Sequence, residues 1–190
     1  MTGRTIRLTL IAAAPAAGVR PGIFPRDEPA DLRGPLPDPG RFERLLSAPE
    51  LRARQTAAAL GLEAGIEPQL ADCDHGAWRG RGLEEIAAAD PDGAAAWLAD
   101  PAAAPHGGES LMALFARVGG WLDAYETAGH TVAVTHPAVI RAAIVRLLDA
   151  PPAGFWRIDV EPLSLSDLRR HAGRWTLRSL GPGLPGPAQR

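Results

Sequence analysis

Three side chains of different chemistry stand where short apolar runs stop. Arg52 lies in "SAPELRARQTA", Asp72 in "LADCDHGAWRG" and His136 in "VAVTHPAVIRA". A guanidinium at the first turn of a helix, beside that helix's free N–H groups, makes a site for an anion and suits a phosphate bidentately. A histidine between a strand and a helix can donate to such an anion or pass a proton near neutral pH. Asp72, or Asp74 two residues on, becomes a general acid if its surroundings raise its pKa. His75 follows in the same loop, and "PHGGESL" adds His106 and Glu109. Singly, each has a plainer explanation: a surface arginine on an Ala-rich helix, a capping histidine, a solvated turn, and for Glu109 a favourable place on a helix dipole.

The elements that would carry these groups can be read from pattern. "TIRLTLIA" (Thr5–Ala12) is short, apolar and β-branched, as a buried strand is. Residues 13–41 are rich in Pro and Gly and read as loop, with turn clusters in "RPGIFPRDEP" and "GPLPDPG". "ERLLSA" (Glu43–Ala48) is a short strand, and "PELRARQTAAALG" a helix with Pro49 near its start and Gly61 at its end. "EPQLADCDHGAWRG" reads as strand then irregular loop, and "GLEEIAAAD" and "PDGAAAWLAD" as two short helices. Leu111, Leu114, Phe115, Val118, Leu122 and Tyr125 recur at helical spacing and predict a long amphipathic helix. "HTVAVTH" is a buried strand and "PAVIRAAIVRLLDA" a helix with Pro137 in its first turn. "GFWRIDV", "SLSDLRRH" and "RWTLRSL" read as strands, the last two as a hairpin about "AGR".

This order predicts a three-layer α/β/α sandwich, its central sheet mainly parallel with an antiparallel edge. Residues 1–181 form one domain in this reading, and residues 182–190 a flexible tail. Ligands of such sheets gather beyond the strands' carboxyl ends. Here those ends are Ala12–Ala14, Ser47–Arg52, Asp72–Gly76 and Thr135–His136. Polar groups collect at all but the first.

Composition narrows the partners. The chain of 190 residues has a formal net charge of −2, which gives no general attraction to nucleic acid or to an acidic membrane surface. All 20 basic residues are arginine, a composition bias without functional content. The single cysteine, Cys73, excludes an intrachain disulfide and a Cys-rich zinc site. No apolar run is long enough to span a bilayer and no secretory leader pattern precedes the first strand, so a cytoplasmic protein is the default. No metal-ligand spacing is recognisable; neither a metal nor an organic cofactor is expected. Whether the chain is a monomer or a homodimer stays open.

Together, "SAPELRARQTA", "DCDHGAWRG…LEEI", "HGGESL…RV" and "VAVTHPAVIRA" resemble the ordered motifs of the histidine phosphatase (phosphoglycerate mutase-like) superfamily, over Leu8 to Leu148. The resemblance implies a phosphoglycerate mutase-like α/β/α fold with a phosphate pocket at the strand ends. It implies that Arg52 and His136 contact a phosphoryl group, that Asp72 stands at the acid position, and that Glu109, with Asp74 and His75, lies at the rim. The family's signature is an Arg-His-Gly or similar triplet after the first strand, its histidine becoming phosphorylated. Aligning "LTLIAAAPA" on that strand puts Ala12 at the arginine, Ala13 at the nucleophile and Ala16 at a hydroxyl residue. A methyl group has no lone pair with which to attack phosphorus. The family also has a helix before the second strand, where this chain has "GPLPDPG", whose prolines forbid a helix interior. Arg20 lies where its guanidinium would replace the one missing at position 12; as loop residues, Arg20 and Arg26 are more simply exposed charges.

Three readings follow. The chain binds a phosphorylated or other anionic small molecule without turnover; or Asp72 or Asp74, His136 and Arg52 carry out water-mediated hydrolysis or elimination without a covalent intermediate; or Ala13 is an engineered replacement that silences a phosphatase. Cys73 offers a thiol, which the motif alignment places in the interior. The loops Gly18–Gly40 and Asp90–His106 would set ligand identity.

Overall fold

The apolar run at the N-terminus forms β1 (Ile6–Ala12), which pairs on one side in parallel with β4 (Gly129–Thr135) and on the other antiparallel with β5 (Ser164–His171). The computed structural model describes residues 5–20, 22–61 and 63–182. β2 (Arg44–Ser47), β3 (Gly65–Ile66) and β6 (Arg174–Pro182) complete a six-stranded sheet in the order β3-β2-β4-β1-β5-β6. β3, β2, β4 and β1 run parallel, and β5 and β6 form the antiparallel edge, a hairpin turning at Ala172–Gly173. The fold is thus the α/β arrangement expected, a mixed and mostly parallel sheet with helices around it.

Register is what matters for the site. Ala12 pairs with Thr135, and the Ala13 N–H donates to the Thr135 carbonyl at 2.7 Å. The carboxyl ends of β1 and β4 are therefore level, and Ala13 stands beside the Thr135–His136 peptide.

The helices follow from their sequence patterns. α1 (Leu51–Ala59) ends before Gly61, whose φ of +87° is strained for a residue with a Cβ. α2 (Leu83–Ala89) and α3 (Pro91–Ala99) are the two short helices expected. α4 (Leu111–Ala124) starts at an N-cap, Ser110, whose hydroxyl accepts from the Ala113 N–H at 3.2 Å. Its Leu111, Leu114, Val118 and Leu122 are buried, with Tyr125 just beyond, whereas Phe115 is half-buried against the same core. α5 (Pro137–Leu147) follows β4 directly and buries Val139, Ile140, Ala143 and Ile144.

Two expectations are corrected. "GFWRIDV" is not a strand: Pro152–Arg157 is a 3₁₀ helix, started by Pro152, whose fixed φ suits the first helical position, and Phe155 is buried in the core. The strand read in "EPQLADCDHGAWRG" gives way to a 3₁₀ turn at Pro68–Leu70, the only pairing nearby being the two-residue β3 before it. "GPLPDPG" carries no helix, as its prolines require. The expected tail lies outside the described residues, except that Pro182 closes β6. Among the described residues no helix is long and apolar enough to cross a membrane.

Residues 15–20 and 22–31 belong to a strap that doubles back on itself. The Ala17 N–H donates to the Pro29 carbonyl and the Asp31 N–H to the Pro15 carbonyl, at 2.8 and 2.7 Å. Its tip is joined to the segment before α2: the Phe24 N–H donates to the Arg81 carbonyl and the Gly80 N–H to the Phe24 carbonyl. The Phe24 ring then packs 4.5 Å from His75 and within 5.6 Å of Trp78 and Trp97, and His106 lies 5.0 Å from Trp78. This second, aromatic cluster anchors the strap and meets the main core through Trp156, which packs on Trp97 and on Phe155.

Burial lowers the pKa of His75 and His106 in this cluster and of His130 in β4, against a partial opposing pull from nearby carboxylates. The unfolded chain then takes up protons first as pH falls, so the stability these residues contribute is complete above their ordinary value of about 6.5 and is lost as pH drops through the lower folded values. The urea midpoint is expected to fall steadily from pH 7.5 to 5. A midpoint unchanged over that interval contradicts the assignment.

Candidate functional site

At the carboxyl ends of the parallel strands, His136 is fully buried and both its ring nitrogens are engaged. It is the residue before α5, brought there by the tight β4–α5 junction at Pro137. Arg52, in the first turn of α1, places Nη2 2.8 Å from His136 Nδ1 and 3.0 Å from Asp72 Oδ2. A guanidinium only donates, so Nδ1 accepts and the imidazole proton sits on Nε2, which donates to Glu50 Oε2 at 2.9 Å. A second proton on the ring would face the Arg52 N–H or have to turn to Asp72 Oδ2, 3.4 Å away.

The carboxylates are held as firmly. Glu50 Oε1 accepts the Asp72 N–H at 3.0 Å, and Asp72 Oδ1 accepts the Cys73 N–H at 2.9 Å. Burial pushes both carboxyls up, but the bonds and charges of His136, Arg52 and the backbone outweigh it, and both titrate below the usual range. Both are ionised at neutral pH. Arg117 of α4 fixes the turn that presents Asp72: it donates to the carbonyls of Gln69 and Ala71 at 2.7 and 3.0 Å and grips both oxygens of Glu109 at 2.9 and 2.7 Å. Thr135 Oγ1 donates to the Leu70 carbonyl at 2.7 Å, joining that turn to β4.

A cavity of about 260 Å³ opens beside this network. Its walls include Glu50, Asp72 and Cys73, with Arg26 and Asp27 from the strap and Arg79. Arg52 and His136 are not among the lining residues, whereas the carboxylates they bond, Asp72 and Glu50, are. Asp27 Oδ1 accepts the Leu51 N–H at 2.7 Å and thereby occupies the start of α1 that an anion was expected to meet.

The structure therefore brings Arg52, Asp72 and His136 together, with Ala13 next to them and 2 % exposed. It separates the others. Arg20 is exposed on the strap and does not reach the cavity wall, where Arg26 stands instead. Glu109 is not at the rim but locked to Arg117, ahead of the α4 N-cap. Asp74 is exposed, accepting from the Gly76 N–H and the Arg79 guanidinium at 2.9 and 3.0 Å. His75 is turned into the aromatic cluster. Cys73 is buried, its thiol donating to the Glu109 carbonyl, and burial pushes its pKa far up, so it is no nucleophile at neutral pH. Sequence reasoning missed Glu50, Arg26, Arg79 and Arg117. Glu50 had a signal, a carboxylate two residues before an arginine at a helix start; the others depend on long-range pairing. Among the described residues no cluster fit to hold a metal ion occurs.

Residues 31–182 match the family model "Histidine phosphatase superfamily (branch 1)". The match begins beyond β1 and most of the strap. Among curated proteins, the bifunctional protein Rv2228c of Mycobacterium tuberculosis is 33 % identical over 135 residues, 67 % of this chain and 37 % of that protein. The adenosylcobalamin/alpha-ribazole phosphatase of Salmonella typhimurium is 32 % identical over 128 residues, 63 % of each. The chain thus spans less than two thirds of these relatives. Of solved structures, the alpha-ribazole phosphatase from Shigella flexneri superposes with a TM-score of 0.79 at 25 % identity, covering 96 % of this chain and 100 % of that one. A mutant phosphoserine phosphatase from Entamoeba histolytica in complex with phosphoserine gives 0.76 at 20 % identity, covering 93 % and 96 %.

The clamp on the Asp72 turn gives a stability test. Arg117→Ala leaves Glu109 enclosed without its cation and is expected to cost about 3 kcal/mol in denaturant unfolding. Adding Glu109→Ala should recover part of that loss, the mark of direct coupling. Strictly additive losses would show that the pair does not act as a unit.

Proposed function

Because this chain belongs to the histidine phosphatase superfamily, we propose that its cavity receives a phosphorylated or otherwise anionic small molecule and that no phosphohistidine forms on it. The observation that carries this reading is Ala13, next to the Thr135–His136 peptide where the family's motif would put the attacking imidazole. Ala12, Ala14, Pro15, Ala16 and Ala17 supply no substitute. Nucleophilic catalysis needs an activatable lone pair at that place, and losing it removes most of a rate enhancement while leaving ligand contacts in place. The names of the relatives, alpha-ribazole phosphatase and phosphoserine phosphatase, point to phosphomonoesters as the class to try first. The guanidiniums of Arg26 and Arg79 at the cavity wall offer the anion contacts.

The acid–base alternative asks more of the site. Both nitrogens of His136 are committed, one to Arg52 and one to Glu50, so the ring has neither a free lone pair nor a free proton until one bond opens. Binding requires no such step. The reading is therefore a phosphatase fold used to hold a ligand.

Two measurements on the unaltered protein test it. With a chromogenic phosphate ester, hydrolysis is expected to stay at the buffer rate, and a labelled ester to leave no acid-labile phosphate on the protein. Calorimetry is expected to register binding of a small phosphomonoester. Turnover with transient labelling would overthrow the proposal, as would the absence of heat with any phosphomonoester.

A further inference from the structure

The cavity's wall carries both signs of charge. Glu50 and Asp72 present carboxylates whose side chains keep 23 % and 18 % of their surface open, while Arg26 and Arg79 present guanidiniums. The carboxylates' protein partners, the Arg52 guanidinium and the His136 imidazole, are not among the residues that line the cavity, so its wall presents the carboxylates themselves.

Those carboxylates still have acceptor capacity. Glu50 takes one bond on each oxygen, from Asp72 N–H and His136, and Asp72 takes one on each, from Cys73 N–H and Arg52. A carboxylate oxygen accepts about two, so each retains a lone pair. A phosphate pressed against this wall is repelled, whereas an ammonium gains charge-assisted bonds there.

The guanidiniums complete the pattern. Arg26 lies over Gly80, where an added Cβ would come within 2.4 Å of its Nε, so the missing side chain makes room for it. Arg79 places Nη2 3.0 Å from the exposed Asp74, a solvated pair that a ligand's anion can replace. Asp27, the remaining charge on the wall, is engaged in capping α1.

We infer that the ligand is a small zwitterion, its ammonium against Glu50 and Asp72 and its phosphate or carboxylate against Arg26 and Arg79. This rests on the proposal that the cavity holds an anionic molecule, and adds that the molecule must also carry a cation. No bond is made or broken.

The test compares two phosphomonoesters of nearly equal size by calorimetry on the unaltered protein: O-phosphoethanolamine, with an ammonium, and 2-hydroxyethyl phosphate, with a hydroxyl in its place. The ammonium compound is expected to bind at least about tenfold more tightly. Glu50→Gln is expected to bring the two affinities together, and Arg26→Ala to weaken both. Because the first comparison needs no variant, a Glu50→Gln protein that fails to fold leaves it decisive, and Asp72→Asn then repeats the second. Equal affinities, or preference for the hydroxyl compound, overturn the zwitterion assignment while the anion-binding reading stands. If neither compound binds, that reading falls and the inference falls with it.

Discussion

The site is organised by one buried imidazole with no nitrogen to spare. His136 accepts from Arg52 and donates to Glu50, and because it has no exposure at all, both partners must come to it. A buried polar group left unpaired costs about 1–3 kcal/mol, more for a charge, so the positions of α1, of Glu50 before it and of the Asp72 turn are coupled to that ring. Register sets the ring's place. β4 lies between β1 and β2 with its end level with theirs, and Pro137 starts α5 at once, leaving His136 no freedom to drift. Arg117 and Thr135 then carry the constraint outward to the Leu70–Asp72 turn.

A second constraint acts from the other side. The strap leaves β1 at Ala13, travels to the aromatic cluster at Phe24 and returns to pair with itself, so Arg26 and Asp27 arrive at the cavity by way of packing remote from it. Asp27 caps the helix that carries Arg52, which couples strap and network through a single 2.7 Å bond. The cavity is thus assembled from three sequence-distant pieces, each fixed by its own burial.

Local pattern made much of this legible and long-range pairing hid the rest. The strands and helices carrying Arg52 and His136 follow from apolar periodicity and from Pro and Gly placement, and the ordered motifs predicted that Asp72 would join them. The partners that neutralise them did not follow. Glu50 looked like one more acidic residue at a helix start, since nothing local says that its carboxylate meets an imidazole 86 positions later. Arg26 instead of Arg20 reaches the cavity because of how the strap pairs with residues 80–83, information that resides in neither segment alone. Glu109 was placed at a rim by motif order, whereas its charge is answered by Arg117 of α4, the helix that starts just after it. "GFWRIDV" failed for a local reason, the pair of prolines ahead of it outweighing its β-branched composition.

Magnitudes decide where a ligand can sit. For an anion to take Arg52 Nη2 from Asp72, an enclosed ion pair must open, and breaking such a pair by removing one partner costs about 3–5 kcal/mol. A new charge-assisted hydrogen bond returns about 1.5–3 kcal/mol net. That exchange is unfavourable, so Asp72 stays paired with Arg52 and His136 with Glu50. Arg79 answers differently, because its pair with Asp74 is half exposed and worth about 1 kcal/mol or less, within reach of a competing anion. The two groups that the family pattern would assign to phosphate, Arg52 and His136, are held instead by the protein's own carboxylates, Asp72 and Glu50.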